Sequence, residues 1–550
     1  MKKREDRRKK RKRRNILILS EMVLALILLV VLIIKVTRKD DKGGEQTEPQ
    51  AVEKQADSGN TGSPKDKVSG KAISFEQTAL AADGNSAYMN VLAFAGQTAE
   101  GEYFSRRLFA DNSSPEAGGE NNGVSGEGNA DAGNMNADGT SGENPTGPDA
   151  AEDEKKKDEE AFAAVLEQAD LSAVMYDYDK AIETVKAFEG YESLDAATEA
   201  LARYEEEKSK LVLWPDNTTI SHLFVHSLIV DTSRAFGKGS SQPKGYNMYM
   251  TTVDEFNKML EQMYEKGYVL ISIHEISKRV TDEEGNEKMV KNDIWLPEGK
   301  TPFVLSQDDV NYYQYMEKNG FADRIVLGED GLPTCQYTDI DGNVHFGEYD
   351  MLPIVDRFVR EHPDFSYHGQ KGILAVTGYE GALGYDTGLS MKMYDGLSED
   401  EKMKLIEAER EKAKAVADAI KADGWEFATH SYTHSNMTDA TLSKMEYDTK
   451  RWHEEVEPIV GPTDIYIYPY GADICDWHGY KGEKFELLKK AGFWYFCNVD
   501  GNRYWIQLRE QYFRMGRINA DGERMNKTPE RLAYFFDVDS VYDKSRPPFN

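Results

Sequence analysis

Trp425-Glu-Phe-Ala-Thr-His430-Ser-Tyr-Thr-His434 is an apolar run that stops at two histidines four residues apart. Where a strand gives way to a loop or helical turn, two imidazoles at that spacing reach one metal ion from the same side. A divalent metal that does hydrolytic chemistry also needs an oxygen ligand and an open position. The oxygen is available upstream, in Pro302-Phe-Val-Leu-Ser306-Gln-Asp308-Asp309, a second apolar run ending in paired carboxylates. Strand-end carboxylates facing strand-end histidines decide how the rest of the chain is read.

Around these two stretches, everything after Trp214-Pro215 alternates short apolar runs with helical stretches, the pattern of an α/β architecture. The strand candidates are 222–230, 268–273, 303–306, 372–377, 425–429, 464–468, 494–497 and 512–518. Helices are expected over 252–266, 351–361, 399–422, 442–459 and 481–491. Polar residues gather just past the carboxyl ends of the strands: Asp308 and Asp309, Tyr379 and Glu380, His430 and His434, Tyr470 and Asp473, Asp500, and Asn519 and Asp521. A (β/α) barrel builds its site from loops at that one face, so a distorted barrel of about seven strands is expected over 214–550. An open doubly wound sheet is the alternative by pattern alone.

The 550-residue chain has a formal net charge of −30, which sets nucleic acid aside as a partner. Only residues 1–14 are strongly basic, and an apolar segment follows at once, interrupted by Ser20 and Glu21. Residues 15–36 have the length to cross ~30 Å of hydrocarbon, and Lys35-Val-Thr-Arg-Lys39 offers no small-x-small cleavage site. The expectation is a single-pass anchor in the cell membrane, with the basic tail cytoplasmic and the rest extracellular. Residues 37–159 are read as a mostly disordered acidic linker with a small ordered patch at 72–111, and 160–213, with Gly190 in the middle, as a short helical hairpin. Cys335, Cys475 and Cys497 are too few for a disulfide framework and are read as reduced.

At His430-Ser431-x-x-His434 and Ser306-Gln-Asp308-Asp309 the chain resembles the polysaccharide deacetylases of the NodB-homology type, carbohydrate esterase family four. The first stretch is similar to the family's H-[ST]-x-x-H metal motif and the second to T-F-D-D-G. The resemblance runs from about Thr218 to Asp543. It implies Asp308 as catalytic base and Asp309, His430 and His434 as ligands of a divalent metal. Zinc is the default for such a donor set, with cobalt, manganese or nickel also compatible. Tyr468-Pro469-Tyr470-Gly471 is similar to the end of R-x-P-Y-G, which implies a Tyr470 backbone N–H in the oxyanion hole.

Three departures stand beside these matches. Ile467 occupies the place of the family's arginine, Val310 that of the motif glycine, and the late histidine that serves as general acid has no counterpart. Arg517, in Arg514-Met-Gly-Arg517, is positioned in sequence to restore a positive charge beside Asp308. The proton for the leaving group is assigned to His478, protonated Asp308 or a metal water.

The resemblance implies a metal-dependent hydrolase that removes acetyl groups from an extracellular or cell-envelope polysaccharide, most simply an N-acetylhexosamine polymer. The departures leave two alternatives open: a catalytically impaired glycan-binding relative, and an O-acetyl polysaccharide esterase.

Overall fold

Seven parallel strands close on themselves, because each is a short apolar run followed by a crossover long enough to return it in the same direction. The computed structural model describes residues 148–389 and 391–549, so the expected basic tail, membrane anchor and 72–111 patch lie outside the described residues. Among the described residues, no helix is long and apolar enough to cross a membrane.

The barrel strands are β1 (Ser221–Val225), β3 (Thr301–Gln307), β4 (Ile373–Val376), β5 (Glu426–Thr429), β6 (Ile465–Ile467), β7 (Tyr495–Val499) and β8 (Tyr512–Asn519). An eighth parallel strand, β2 (Tyr268–Leu270), pairs with β3 near its start. Further along β3, Ser306 and Gln307 pair with Ile373 and Leu374, which completes the ring in the order β1-β3-β4-β5-β6-β7-β8 and back to β1. The closed ring, rather than an open sheet, is therefore the architecture.

Side chains alternate across each strand, and the alternation divides the core in two. Phe303 and Leu305 join the cluster beneath the outer helices, while Val304 between them joins the other, with Ala375, Ala428 and Ile467. Four helices supply most of the outer layer: α4 (Val253–Glu265), α5 (Met351–Glu361), α6 (Glu399–Ala422) and α7 (Leu442–Glu455). α8 (Glu483–Lys490) packs Phe485 and Leu488 into a separate aromatic cluster with Tyr468, Phe496 and Tyr512. The starts of α4 and α6 carry complete capping boxes, Thr252 with Glu255 and Ser398 with Glu401. α7 ends at Glu455, short of the expected Ile459, and a separate turn Glu457–Val460 follows. Pro458 lies in that turn and has no N–H to continue the α7 ladder.

Before the barrel come α1 (Pro148–Val174), α2 (Tyr178–Lys186) and α3 (Asp195–Ser209), three helices rather than the expected hairpin from 160. The polar linker therefore gives way to helix at 148, not 159. Its Glu- and Lys-rich start has no apolar period to announce it until Phe162. This unit keeps its own core of Phe162, Ile182, Val185 and Tyr204. It docks through Tyr176, whose hydroxyl donates to the Asp364 carbonyl (2.7 Å). Residues 323–347 form three antiparallel strands, Arg324–Leu327, Pro333–Thr338 and Val344–Gly347. Asp339 accepts from the backbone of Asp341 and Asn343 and from His345, so Asp339-Ile-Asp341-Gly342 is a self-satisfied turn.

Candidate active site at the carboxyl face of the barrel

Asp308 and Asp309 follow β3 directly, and His430 follows β5. The ligand atoms of Asp309, His430 and His434 lie within 4.8 Å of one another, and all three residues are buried. His434 Nε2 is 3.6 Å from Asp309 Oδ1, and His430 Nε2 is 3.8 Å from Asp308 Oδ2. The His430 ring sets its own tautomer. Its Nδ1 is 2.9 Å from the Ile467 carbonyl, which can only accept, so Nδ1 carries the proton and the Nε2 lone pair faces the carboxylates.

Burial pushes both imidazoles down, His430 to about 4 and His434 to about 3. That keeps them in the neutral form a metal requires. His434 Nδ1 is a buried polar atom with no hydrogen-bond partner among the described residues. A neutral His₂Asp donor set with two carboxylates and an orphaned ring nitrogen fits a divalent cation, zinc being the ordinary choice for it.

The backbone here adopts conformations that ordinary residues avoid. Asp309 (φ 56°), Ser431 (φ 59°), His434 (φ 50°) and Tyr470 (φ 60°) all lie in the left-handed region. Such positions persist where surrounding contacts over-determine them. Those contacts are visible. Asp448, buried on α7, accepts from the Tyr432 N–H (2.6 Å) and the Thr433 N–H (2.8 Å), which fixes the loop between the two histidines. Tyr313 donates its hydroxyl to Asp309 Oδ1 at 2.5 Å, which fixes the carboxylate.

Asp308 is held by Arg517, which reaches it from β8 with Nη1–Oδ1 at 2.6 Å and Nη2–Oδ2 at 2.8 Å. The guanidinium is fully buried, lies over the Phe224 ring (4.1 Å) and also donates to Ser306 Oγ (3.2 Å). Burial alone raises a carboxyl, but the Arg517 charge and hydrogen bonds overcome it and hold Asp308 well below the usual carboxylate range. Ile467, where the resemblance expects an arginine, instead supplies the carbonyl that orients His430.

Asp308, His430, His434 and Tyr470 line a cavity of about 1010 Å³. His226, at the end of β1, lines the same cavity and is buried. It acts electrostatically on Asp308, His434 and Asp521. Sequence reading assigned it no role, although a histidine one residue past an apolar run was the available signal. His478, by contrast, lies outside the cavity lining, exposed, its ring paired with Asp476 (2.7 Å) and stacked on Trp477. It is therefore corrected out of the proton-donor candidates.

Asp473 is turned away from the site, accepting from Tyr480 and Arg514. Asn519 lines the cavity, and Asp521 caps the helix Gly522–Lys527. Glu380 lies in a second cavity of about 280 Å³ together with Asp386, and burial pushes its carboxyl up to about 7. Cys335, Cys475 and Cys497 are all free thiols. Of the aromatics in this half of the chain, Tyr466, Tyr468, Tyr480, Trp494 and Tyr495 are core, while Trp477 is exposed.

A parallel barrel with a buried carboxylate–histidine cluster at its carboxyl face defines the class, a closed (β/α) barrel with a candidate metal site. Residues 401–496, which contain the His-Ser-x-x-His segment, match the family model described as Polysaccharide deacetylase. A solved structure, the Streptococcus pyogenes deacetylase PplD in complex with acetate, is similar at 13% identity over 60% of this chain and 99% of its own. The TM-score of that match is 0.29. No curated protein matches the chain.

Proposed function

We propose that the protein is a metal-dependent deacetylase acting on an acetylated polysaccharide of the cell envelope, most simply an N-acetylhexosamine polymer. The observation that carries this reading is the Asp309–His430–His434 cluster beside the Arg517-held Asp308, in a cavity large enough for a sugar unit. The basic 1–14 and apolar 15–36 segments support an anchored, extracellular placement.

Asp309, His430 and His434 would hold the cation. When bound, a divalent metal supplies Lewis-acid polarisation of the acetyl carbonyl and acidifies water at neutral pH. Asp308 takes the proton of the attacking water, its anionic form secured by the Arg517 fork. The backbone N–H of Tyr470, in its left-handed turn beside the His434 ring (4.5 Å), meets the charge that develops on the carbonyl oxygen. An amide nitrogen leaves only when protonated, and His226 donates that proton. It lines the same cavity as Asp308, from the end of the neighbouring strand β1. A built-in proton donor favours the N-acetyl over the O-acetyl reading, because an alkoxide leaves with less help.

The test is acetate release by the purified protein from N-acetylated and O-acetylated glycans, beside His430→Ala and Asp308→Asn, with bound metal measured. Release from the amide that both variants lose by at least about 10²-fold supports the proposal. Release from esters alone selects the esterase. Binding without release from either selects an impaired glycan-binding relative.

A further inference from the structure

One side chain outside the catalytic cluster knits together the far wall of the catalytic cavity. Arg546 is fully buried and spreads its donors over Glu255, Asn247 and Met250. Its Nε donates to Glu255 Oε1 (2.7 Å) and Nη2 to Glu255 Oε2 (2.6 Å). Nη1 donates to the Asn247 carbonyl (2.8 Å), and Nη2 also to the Met250 carbonyl (2.6 Å). Glu255 is the capping-box residue of α4, so the guanidinium is tied to the start of a barrel helix. Asn247 returns the contact, its Nδ2 donating to the Pro547 carbonyl (3.0 Å).

The helix Gly522–Lys527 completes the arrangement. A Cβ at Gly522 would sit 2.1 Å from the Asn247 carbonyl oxygen and 2.4 Å from Arg546 Nη1, so only glycine lets that helix close on the clamp. Three segments distant in sequence, Pro243–Tyr249, Gly522–Lys527 and 546–549, thus meet at one buried ion pair. All three line the cavity that holds Asp308, His430 and His434.

What this wall presents is suited to sugars. Phe236, Tyr249 and Phe549 give aromatic surface, with Pro547 and Pro548 beside them. Aromatic faces pack against the C–H faces of pyranose rings, whereas the acetyl chemistry itself needs none of these residues. The cavity's volume, about 1010 Å³, is more than one acetylated sugar requires. We propose that the segment Pro547–Phe549, clamped by Arg546, is a subsite wall that binds the sugar units flanking the acetylated one, so that the protein selects polymer over isolated acetylated sugars. This rests on the deacetylase reading for its catalytic readout but not for its binding readout.

The experiment uses a β-linked N-acetylhexosamine tetramer, the corresponding monomer and an aryl acetate, with the full chain loaded with zinc. Phe549→Ala is compared with wild type, and Trp477→Ala, an exposed aromatic outside the cavity, is the control. In Phe549→Ala, KM for the tetramer is expected to rise about tenfold, and the tetramer-to-aryl-acetate ratio of kcat/KM to fall by the same factor. Calorimetry on the same proteins is expected to show the tetramer binding about tenfold more weakly to Phe549→Ala and equally to Trp477→Ala. A ratio and an affinity that Phe549→Ala leaves within twofold of wild type overturn the wall. So does an equal loss for monomer and tetramer, or a wild type that binds neither. A wild type that binds the tetramer but releases no acetate sinks the deacetylase reading alone, and the calorimetric comparison then decides the wall by itself.

Discussion

Arg517 and Asp308 stand 209 residues apart in sequence and meet in a bidentate pair inside the barrel, with Nη1–Oδ1 at 2.6 Å and Nη2–Oδ2 at 2.8 Å. The strand order explains the meeting, since β8 lies next to β1 and β1 next to β3. A guanidinium from β8 can therefore serve a carboxylate on β3 when the residue at the end of β6 is Ile467. The pair holds Asp308 well below the usual carboxylate range, so its basic form persists at acid pH. Arg517→Lys keeps a charge but loses the fork. The acid limb of kcat/KM against pH is expected to move to higher pH in this variant, with turnover lower. An unshifted acid limb would count against a role for the pair in tuning the base.

His226 and the leaving group form the second prediction. An amide anion is a far poorer leaving group than an alkoxide, so the loss of a proton donor costs an amide substrate more than an ester of the same sugar. His226→Gln is expected to lower kcat on an N-acetylated glycan by about 10²-fold or more, the usual span for general acid catalysis. An O-acetylated glycan is expected to lose much less. Equal losses on both would mean that His226 shapes the cavity rather than donating the proton.

Asp448 touches none of the proposed ligands, yet its carboxylate holds the two backbone N–H groups between His430 and His434. Supporting carboxylates of this kind typically change metal affinity by ~10–100-fold. Asp448→Ala is expected to weaken zinc binding by that factor in a competition titration against a chromophoric chelator. Activity should return in excess zinc, which separates loop positioning from loss of a ligand.

What was legible in the sequence was whatever local pattern carries. The barrel strands announce themselves as short apolar runs, and the His-x-x-x-His spacing together with the adjacent aspartates places metal-type side chains at their ends. Residues that act across the barrel have no such signature. His226 follows one strand as an ordinary histidine would, Asp448 lies within an amphipathic helix, and Arg546 sits in a polar tail. Their roles depend on which strands become neighbours, and closure of the ring decides that. The start of α1 was hidden for the opposite reason. A helix whose first half carries charged residues and alanines but no large apolar side chain satisfies its backbone internally and needs no apolar face to be written into the sequence.

Lys371 is buried between two carboxylates, its Nζ 2.6 Å from Asp356 and 2.7 Å from Asp423, and Asp356 also accepts from Trp425 Nε1 (2.8 Å). The group ties α5 and the end of α6 to the loop leading into β4. Removing one member of a buried ion network leaves the others uncompensated, at a cost of ~3–5 kcal/mol. Lys371→Ala is expected to lose stability of that order in urea unfolding. The double variant Lys371→Ala with Asp356→Asn should lose less than the sum of the single variants, because one of the two orphaned carboxylates is neutralised with it.

At the opposite end of the barrel from the site, His274 lies between Glu426 at the start of β5 and Asp464 just before β6, with Nε2 to Asp464 Oδ1 at 3.0 Å. Burial works to lower its pKa, but Glu426 and Asp464 outweigh burial and raise it to about 10. The unfolded value is ~6.5, so the folded state holds the proton more tightly. Stability from this group is therefore fully present below about pH 6.5 and is lost progressively as pH rises towards about 10. In His274→Gln the fall in unfolding free energy between pH 6.5 and 10 should be shallower than in wild type, with the largest difference between the two proteins at the acid end. Parallel stability–pH curves for the two proteins would show that the His274 proton is not linked to folding.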